Sequence, residues 1–233
     1  MSDTSAFARL AATATRLANG LAGLAYPPLC LGCEARLPHA TEALCAACLR
    51  GLPRADTEAP ARLLADAPTA SAVALWTFDP GGTVRRVQHA LKYGGRPSLG
   101  RPLGRILGQA VAAAGVAPDA VTPVPLSRLR TLERGYNQAE ALAEGVAEGF
   151  AVPVVALLVR TRATQKQATL SAGARRRNVD GAFALAEGAD VAGRRILLID
   201  DVLTTGATLG AAARPLAEAG AVVDVATLAL AGD

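Results

Sequence analysis

From residue 70 onward, short apolar runs alternate with longer stretches whose apolar positions return every three or four residues. That alternation predicts strands of a buried parallel sheet interleaved with the helices that cover it. "SAVALWTF" (71–78) reads as a strand, and "TVRRVQHALKYGG" (83–95) as a helix closed by glycines. "RPLGRILGQAVAAAG" (101–115) is a helix, "AVTPVP" (120–125) a strand and "NQAEALAEGVAEGF" (137–150) a helix. Strands follow in "VPVVALLVR" (152–160), "GAFAL" (181–185) and "RRILLIDDV" (194–202). The helix "TLGAAARPLAEAG" (208–220), which Pro215 should kink, and the strand "AVVDVATLAL" (221–230) complete the pattern.

The first third reads differently. Residues 1–25 form an amphipathic pattern carrying Phe7, Leu10, Leu17, Leu21 and Leu24, a helix that Pro27 and Pro28 would end. A cysteine-rich segment runs to about Pro53, and residues 54–69 have the acids, prolines and alanines of a linker. The expected division is an N-terminal helix and metal-binding segment over 1–55 and an α/β domain over 70–233.

Composition narrows the class. The chain has 233 residues, 51% of them apolar and 3% aromatic, enough for one good core with a small appendage. No run reaches the roughly 18 apolar residues that cross a bilayer, and no convincing signal peptide is present, so a cytoplasmic protein without a membrane span is expected. The net charge of +4 is modest but uneven. Arg128, Arg130, Arg134, Arg160, Arg162, Lys166, Arg175, Arg176 and Arg177 outnumber the acids between 121 and 185. An anionic ligand, nucleic acid or an ordinary solvated face would each account for that bias.

The sharpest local signal is "ILLIDDVLTTGATL" (196–209). A buried parallel strand is a continuous aliphatic run, and the polar residues at its carboxyl end fall where open α/β sheets bind ligands. Thr204, Thr205, Gly206, Ala207 and Thr208 then lead into a helix, bringing free backbone N–H groups, small side chains and three hydroxyls to one place. That arrangement suits a phosphate. Asp200 and Asp201 would repel the phosphate, so they are expected to face the hydroxyls of the attached sugar, with Mg2+ nearby. The alternative is an ordinary strand-to-helix turn with an aspartate cap.

Cys30, Cys33, Cys45 and Cys48 form two CxxC pairs and account for every cysteine in the chain. The spacing suits a closed tetrahedral site for structural Zn2+; reducible disulfides or an iron–sulfur cluster are the alternatives.

"ILLIDDVLTTGAT" resembles the phosphoribosyl pyrophosphate (PRPP) motif of type I phosphoribosyltransferases. Together with the cysteine segment, "LKYGG" (91–95), "TPVPLSRLRTLERGYNQAEALA" (122–143) and "RTRATQKQATLSAGARRRNVDGAF" (160–183), in that order, it makes the chain similar to the ComF family. The resemblance implies a type I phosphoribosyltransferase-like parallel sheet flanked by helices, behind a small N-terminal zinc ribbon. It implies a function in DNA uptake and natural competence, with Mg2+-dependent phosphoribosyl transfer from PRPP to an unknown acceptor. The alternative is a non-catalytic PRPP sensor or single-stranded-DNA-binding accessory; DNA and a competence helicase are the implied partners. Asp200 and Asp201 would be the catalytic acids, and residues 204–208 would bind the phosphate. Arg128, Arg130 and Arg134 would neutralise the pyrophosphate, and Arg160, Gln165, Gln167, Arg177 and Asn178 would belong to a loop closing over the centre. Lys92, after a helix, reads either as a helix C-cap or as a ligand-facing cation.

Overall fold

The computed structural model of the chain describes residues 28–161 and 181–231. It divides into two compact units, one ending at Gly51 and the other beginning at Leu52.

In the first unit an antiparallel bridge joins Leu29 to Arg36, with Glu34 left-handed at φ 62° in the turn between them. Helix α1 (Ala46–Arg50) follows, and Cys45 is its N-cap residue. A segment this short can bury little apolar surface, so its fold needs some other source of free energy.

The second unit opens with helix α2 (Ala59–Leu63) inside the stretch whose composition suggested a linker. Strand β1 (Ser71–Thr77) leads to helix α3 (Thr83–Tyr93) and helix α4 (Gly100–Ala113). Strand β2 (Ala120–Pro123), helix α5 (Arg128–Arg134), helix α6 (Gln138–Phe150) and strand β3 (Leu158–Arg160) come next. Strand β4 (Phe183–Leu185), strand β5 (Arg195–Leu203), helix α7 (Ala207–Glu218) and strand β6 (Val222–Leu230) end the described chain.

Four strands form the expected parallel sheet in the order β1-β6-β5-β2. One segment departs from the sequence expectation. Of 152–160, the start joins the main sheet only through the bridge of Val154 to Val121, in which the Val121 N–H donates to the Pro153 carbonyl and the Val155 N–H to the Val121 carbonyl, and Leu158–Arg160 pairs antiparallel with β4 in a separate two-stranded sheet. Strand β5 runs through its acids, as expected for 194–202, and on to Leu203, with Asp200 in register with Thr227 and Leu203 with Leu230. The aspartates therefore lie within the last part of the strand.

The sheet is covered by helices. Ile196, Leu198, Val223 and Val225 share one apolar cluster with Leu209, Ala212, Ala213 and Leu216 of α7. Helices α4 and α6 contact β1, β2, β5 and β6 and pack tightly on each other. A Cβ at Gly104 would meet the carbonyl of Leu142, and one at Gly145 the carbonyl of Arg101, so the backbones touch directly. Pro215 is accommodated inside α7. Among the described residues no helix is long and apolar enough to cross a membrane.

Candidate functional site

The carboxyl ends of β2 and β5 open into a pocket lined by Lys92, Pro125, Arg130, Arg134, Gln138, Arg160, Asp200, Asp201, Thr204 and residues 206–208. Ligand crevices of open α/β sheets lie in this position. Gly206 makes the phosphate-nest geometry feasible. It is left-handed at φ 75°, and a Cβ there would lie 2.5 Å from the Leu63 carbonyl oxygen. The turn therefore tucks beneath α2, and α7 begins at the next residue, its first turn (Ala207, Thr208 and Leu209) lining the pocket. Thr204, Gly206, Ala207 and Thr208 line this pocket, whereas Thr205 lines a neighbouring apolar groove beside Leu63 and Leu64.

The two aspartates are neighbours near the end of the strand, both line the pocket, and their carboxyl groups are close enough to interact. Asp201 is buried, at 4% exposure. Its Oδ2 is 2.5 Å from Lys92 Nζ, and Gln138 Nε2 approaches Oδ1 at 3.5 Å. Its main-chain oxygen accepts from Gln88 Nε2 at 3.2 Å. Burial pushes the Asp201 carboxyl up, but the Lys92 ammonium outweighs it and holds the group below the usual carboxylate range. Asp200 forms no ion pair among the described residues; one oxygen accepts from the Asp201 N–H at 2.8 Å. Burial, with the Asp201 charge next to it, pushes Asp200 up to about 7.

Arg130, Arg134 and Arg160 bring three cations to the same pocket. Arg134 donates to Gln138 Oε1 at 2.8 Å and lies over the Tyr93 ring, linking it to the Asp201 cluster. Arg160 lies over the Phe183 ring and donates to the Pro125 carbonyl. Burial, and the Arg130 charge, lower its pKa, while Asp200 opposes that shift. Arg128 begins α5 but does not line the pocket. Gln165, Gln167, Arg177 and Asn178, like the expected N-terminal helix, lie outside the described residues. Sequence reasoning missed Gln88, Gln138 and the pairing of Lys92. The available signal was polar residues at 88 and 92, one helical turn apart, among the buried apolar residues Val84, Val87 and Leu91.

In the N-terminal unit the four cysteine sulfurs all lie within 4.8 Å of one another. Cys33 Sγ and Cys45 Sγ are 3.8 Å apart, the edge of a tetrahedron with metal–sulfur bonds of about 2.3 Å. Burial pushes the Cys30 thiol up, but N–H donors from Cys45, Cys33 and Gly32 outweigh it and bring the group down to about 6. Hydrogen bonds to Cys33, Cys30 and Cys45 push Cys48 up to about 12.

Residues 136–233 match the family model of the phosphoribosyl transferase domain. The chain is 32% identical over 214 residues to DNA utilization protein YhgH of Escherichia coli O157:H7, covering 87% of this chain and 92% of that protein. It is 40% identical over 105 residues to competence protein F of Haemophilus influenzae, a match spanning 44% of this chain and about half, 46%, of that protein. Among solved structures, the glutamine phosphoribosylpyrophosphate amidotransferase of B. subtilis is 27% identical, with a TM-score of 0.40 over 59% of this chain and 30% of that one. The sheet order, its helical covering and the family match make the second unit a type I phosphoribosyltransferase-like α/β domain.

Proposed function

This chain belongs to the ComF family, and from that premise we propose that it binds PRPP, or a related 5-phosphoribosyl ligand, in the β2–β5 pocket. The observation that carries the reading is the turn at 204–208: left-handed Gly206, packed against the Leu63 carbonyl, presents the start of α7 to the same pocket as Asp200. The 5-phosphate sits on the amides of that turn and on the hydroxyls of Thr204 and Thr208. Asp200 accepts from the sugar hydroxyls. Arg130, Arg134 and Arg160 lie across the pocket and hold the diphosphate by charge-assisted hydrogen bonds.

Such a pocket suits displacement of pyrophosphate at C1 of the ribose by an acceptor nucleophile. As the C1–O bond breaks, positive charge develops on the sugar and negative charge on the departing diphosphate. Asp200 stabilises the first and the arginines the second, with no covalent intermediate needed. Mg2+ fits this site as a companion of the diphosphate, because Lys92 and Gln138 already occupy the Asp201 carboxylate and Asp200 offers a single acidic group. When bound it screens the charge on the diphosphate. In the first unit the sulfur spacing supports a structural Zn2+ held by Cys30, Cys33, Cys45 and Cys48.

A second reading, binding of PRPP or single-stranded DNA without turnover, is favoured by relatives named for competence and DNA utilization. Fold alone does not choose between these. Incubation with PRPP, Mg2+ and a panel of bases, amines and single-stranded DNA separates them. Acceptor-dependent release of pyrophosphate supports transfer; calorimetric PRPP binding with no release from any acceptor supports the second reading. No heat of PRPP binding contradicts both.

A further inference from the structure

The acid pair in β5 looks symmetrical in sequence, but its two members have different surroundings. Asp201 shares its side of the strand with Leu197 and Ile199, which are fully buried, and is itself 4% exposed. Among the described residues the Lys92 ammonium, 2.5 Å from Asp201 Oδ2, is the cation that compensates that buried oxygen. Lys92 ends α3, and one turn earlier on that helix Gln88 donates to the main-chain oxygen of Asp201. The first residue of α6, Gln138, reaches the other carboxylate oxygen and is itself held by Arg134. Two helices, α3 and α6, therefore converge on Asp201. Asp200 keeps partial exposure, accepts from the neighbouring main-chain N–H, interacts with the Asp201 carboxyl, and among the described residues has no cation paired to it.

We infer that Lys92 is a positioning residue that divides the acid pair: its ammonium commits Asp201 to a buried strut and leaves Asp200 alone to meet the sugar hydroxyls. This rests on the phosphoribosyl reading of the pocket for the identity of the ligand, but the strut itself does not. A buried carboxylate compensated by one cation tolerates loss of that cation poorly, whereas loss of both charges together is mild. The pair also ties α3 to the end of β5, and so fixes the backbone from which Asp200 projects.

The test compares K92M, D201N, D200N and the double variant K92M/D201N with wild type. Melting temperature is measured without ligand, and ribose 5-phosphate affinity by calorimetry without metal. K92M should melt about 6 °C or more below wild type, because it strands the Asp201 charge. The double variant should regain most of that loss. D200N should weaken ribose 5-phosphate binding by about tenfold or more, the equivalent of one charge-assisted hydrogen bond. The loss in D201N should be clearly smaller, and K92M/D201N should bind better than K92M. A merely structural lysine would not produce that rescue of affinity by removal of an acid.

If D201N loses as much affinity as D200N while Lys92 is intact, Asp201 grips the sugar and the division is wrong. If the double variant binds no better than K92M, Lys92 acts on the ligand itself. If it melts no higher than K92M, the strut does not exist. Wild type that binds no ribose 5-phosphate sinks the phosphoribosyl reading and the assignment of Asp200; the melting arm still decides for or against the Lys92–Asp201 strut.

Discussion

Gly206→Ala is the substitution whose cost the structure defines best. The residue sits at φ 75°, where an L side chain costs about 1–2 kcal/mol. The added Cβ would also stand 2.5 Å from the Leu63 carbonyl oxygen and 3.1 Å from Leu64 Cδ2. Ordinary contact needs more than 3 Å, and a carbonyl oxygen moves only if α2 or the start of α7 moves with it. Overpacking of this kind costs roughly 1–3 kcal/mol more, for about 2–5 kcal/mol in all. At about 2–4 °C per kcal/mol for a chain of this size, the melting temperature should fall by roughly 4–20 °C. Gly115→Ala is the control, since Gly115 has φ 76° but nothing within 4 Å of an added Cβ. It should show the backbone cost alone. Thermal and urea unfolding of both variants give the difference directly. Equal losses would mean that Gly206 is not pressed against α2, and the geometry assigned to the phosphate turn would be refuted.

Other consequences follow from the same structure. Because Asp200 is raised to about 7 and acts as an acceptor when ionised, ribose 5-phosphate affinity should rise about tenfold from pH 6 to pH 8, beyond any rise seen in D200N; matching profiles would contradict its role. Protonation of Asp200 favours the folded chain, so its contribution is greatest below the unfolded value near 3.8 and should be lost as pH climbs through about 7, visible as a wild-type-minus-D200N difference in unfolding free energy. Gly145→Ala should destabilise by about 1–3 kcal/mol by driving α6 from the Arg101 carbonyl. Gly149→Ala on the same helix meets nothing and should stabilise by about 0.4–1 kcal/mol; a loss there as large as at Gly145 would refute the close helix contact. Protein prepared without a nickel column should carry one equivalent of zinc, and less than about half an equivalent would reject the thiolate site.

The aliphatic run 196–199 and its position in a covered parallel sheet were legible because a fully buried strand has no polar face to obscure the pattern. The cysteine cluster was legible from spacing alone, since four thiols in two CxxC pairs leave few ways to fold. Helix α5 left no trace of this kind. None of its residues is buried, and Leu129 and Leu132 are exposed, so its apolar positions report no packing face. The unequal environments of Asp200 and Asp201 depend on Lys92 and Gln138, more than 60 residues away from Asp201 in the chain. No local pattern encodes such a contact, although the polar pair at 88 and 92 on an otherwise apolar helical face was its visible remnant.

Diffraction from crystals grown with PRPP and Mg2+ addresses the central claim most directly. The 5-phosphate should lie within hydrogen-bonding distance of the main-chain N–H groups of 206–208, the ribose hydroxyls on Asp200, and the diphosphate facing Arg130, Arg134 and Arg160. A ligand seated elsewhere, or one whose diphosphate rather than 5-phosphate occupies the 204–208 turn, would contradict it.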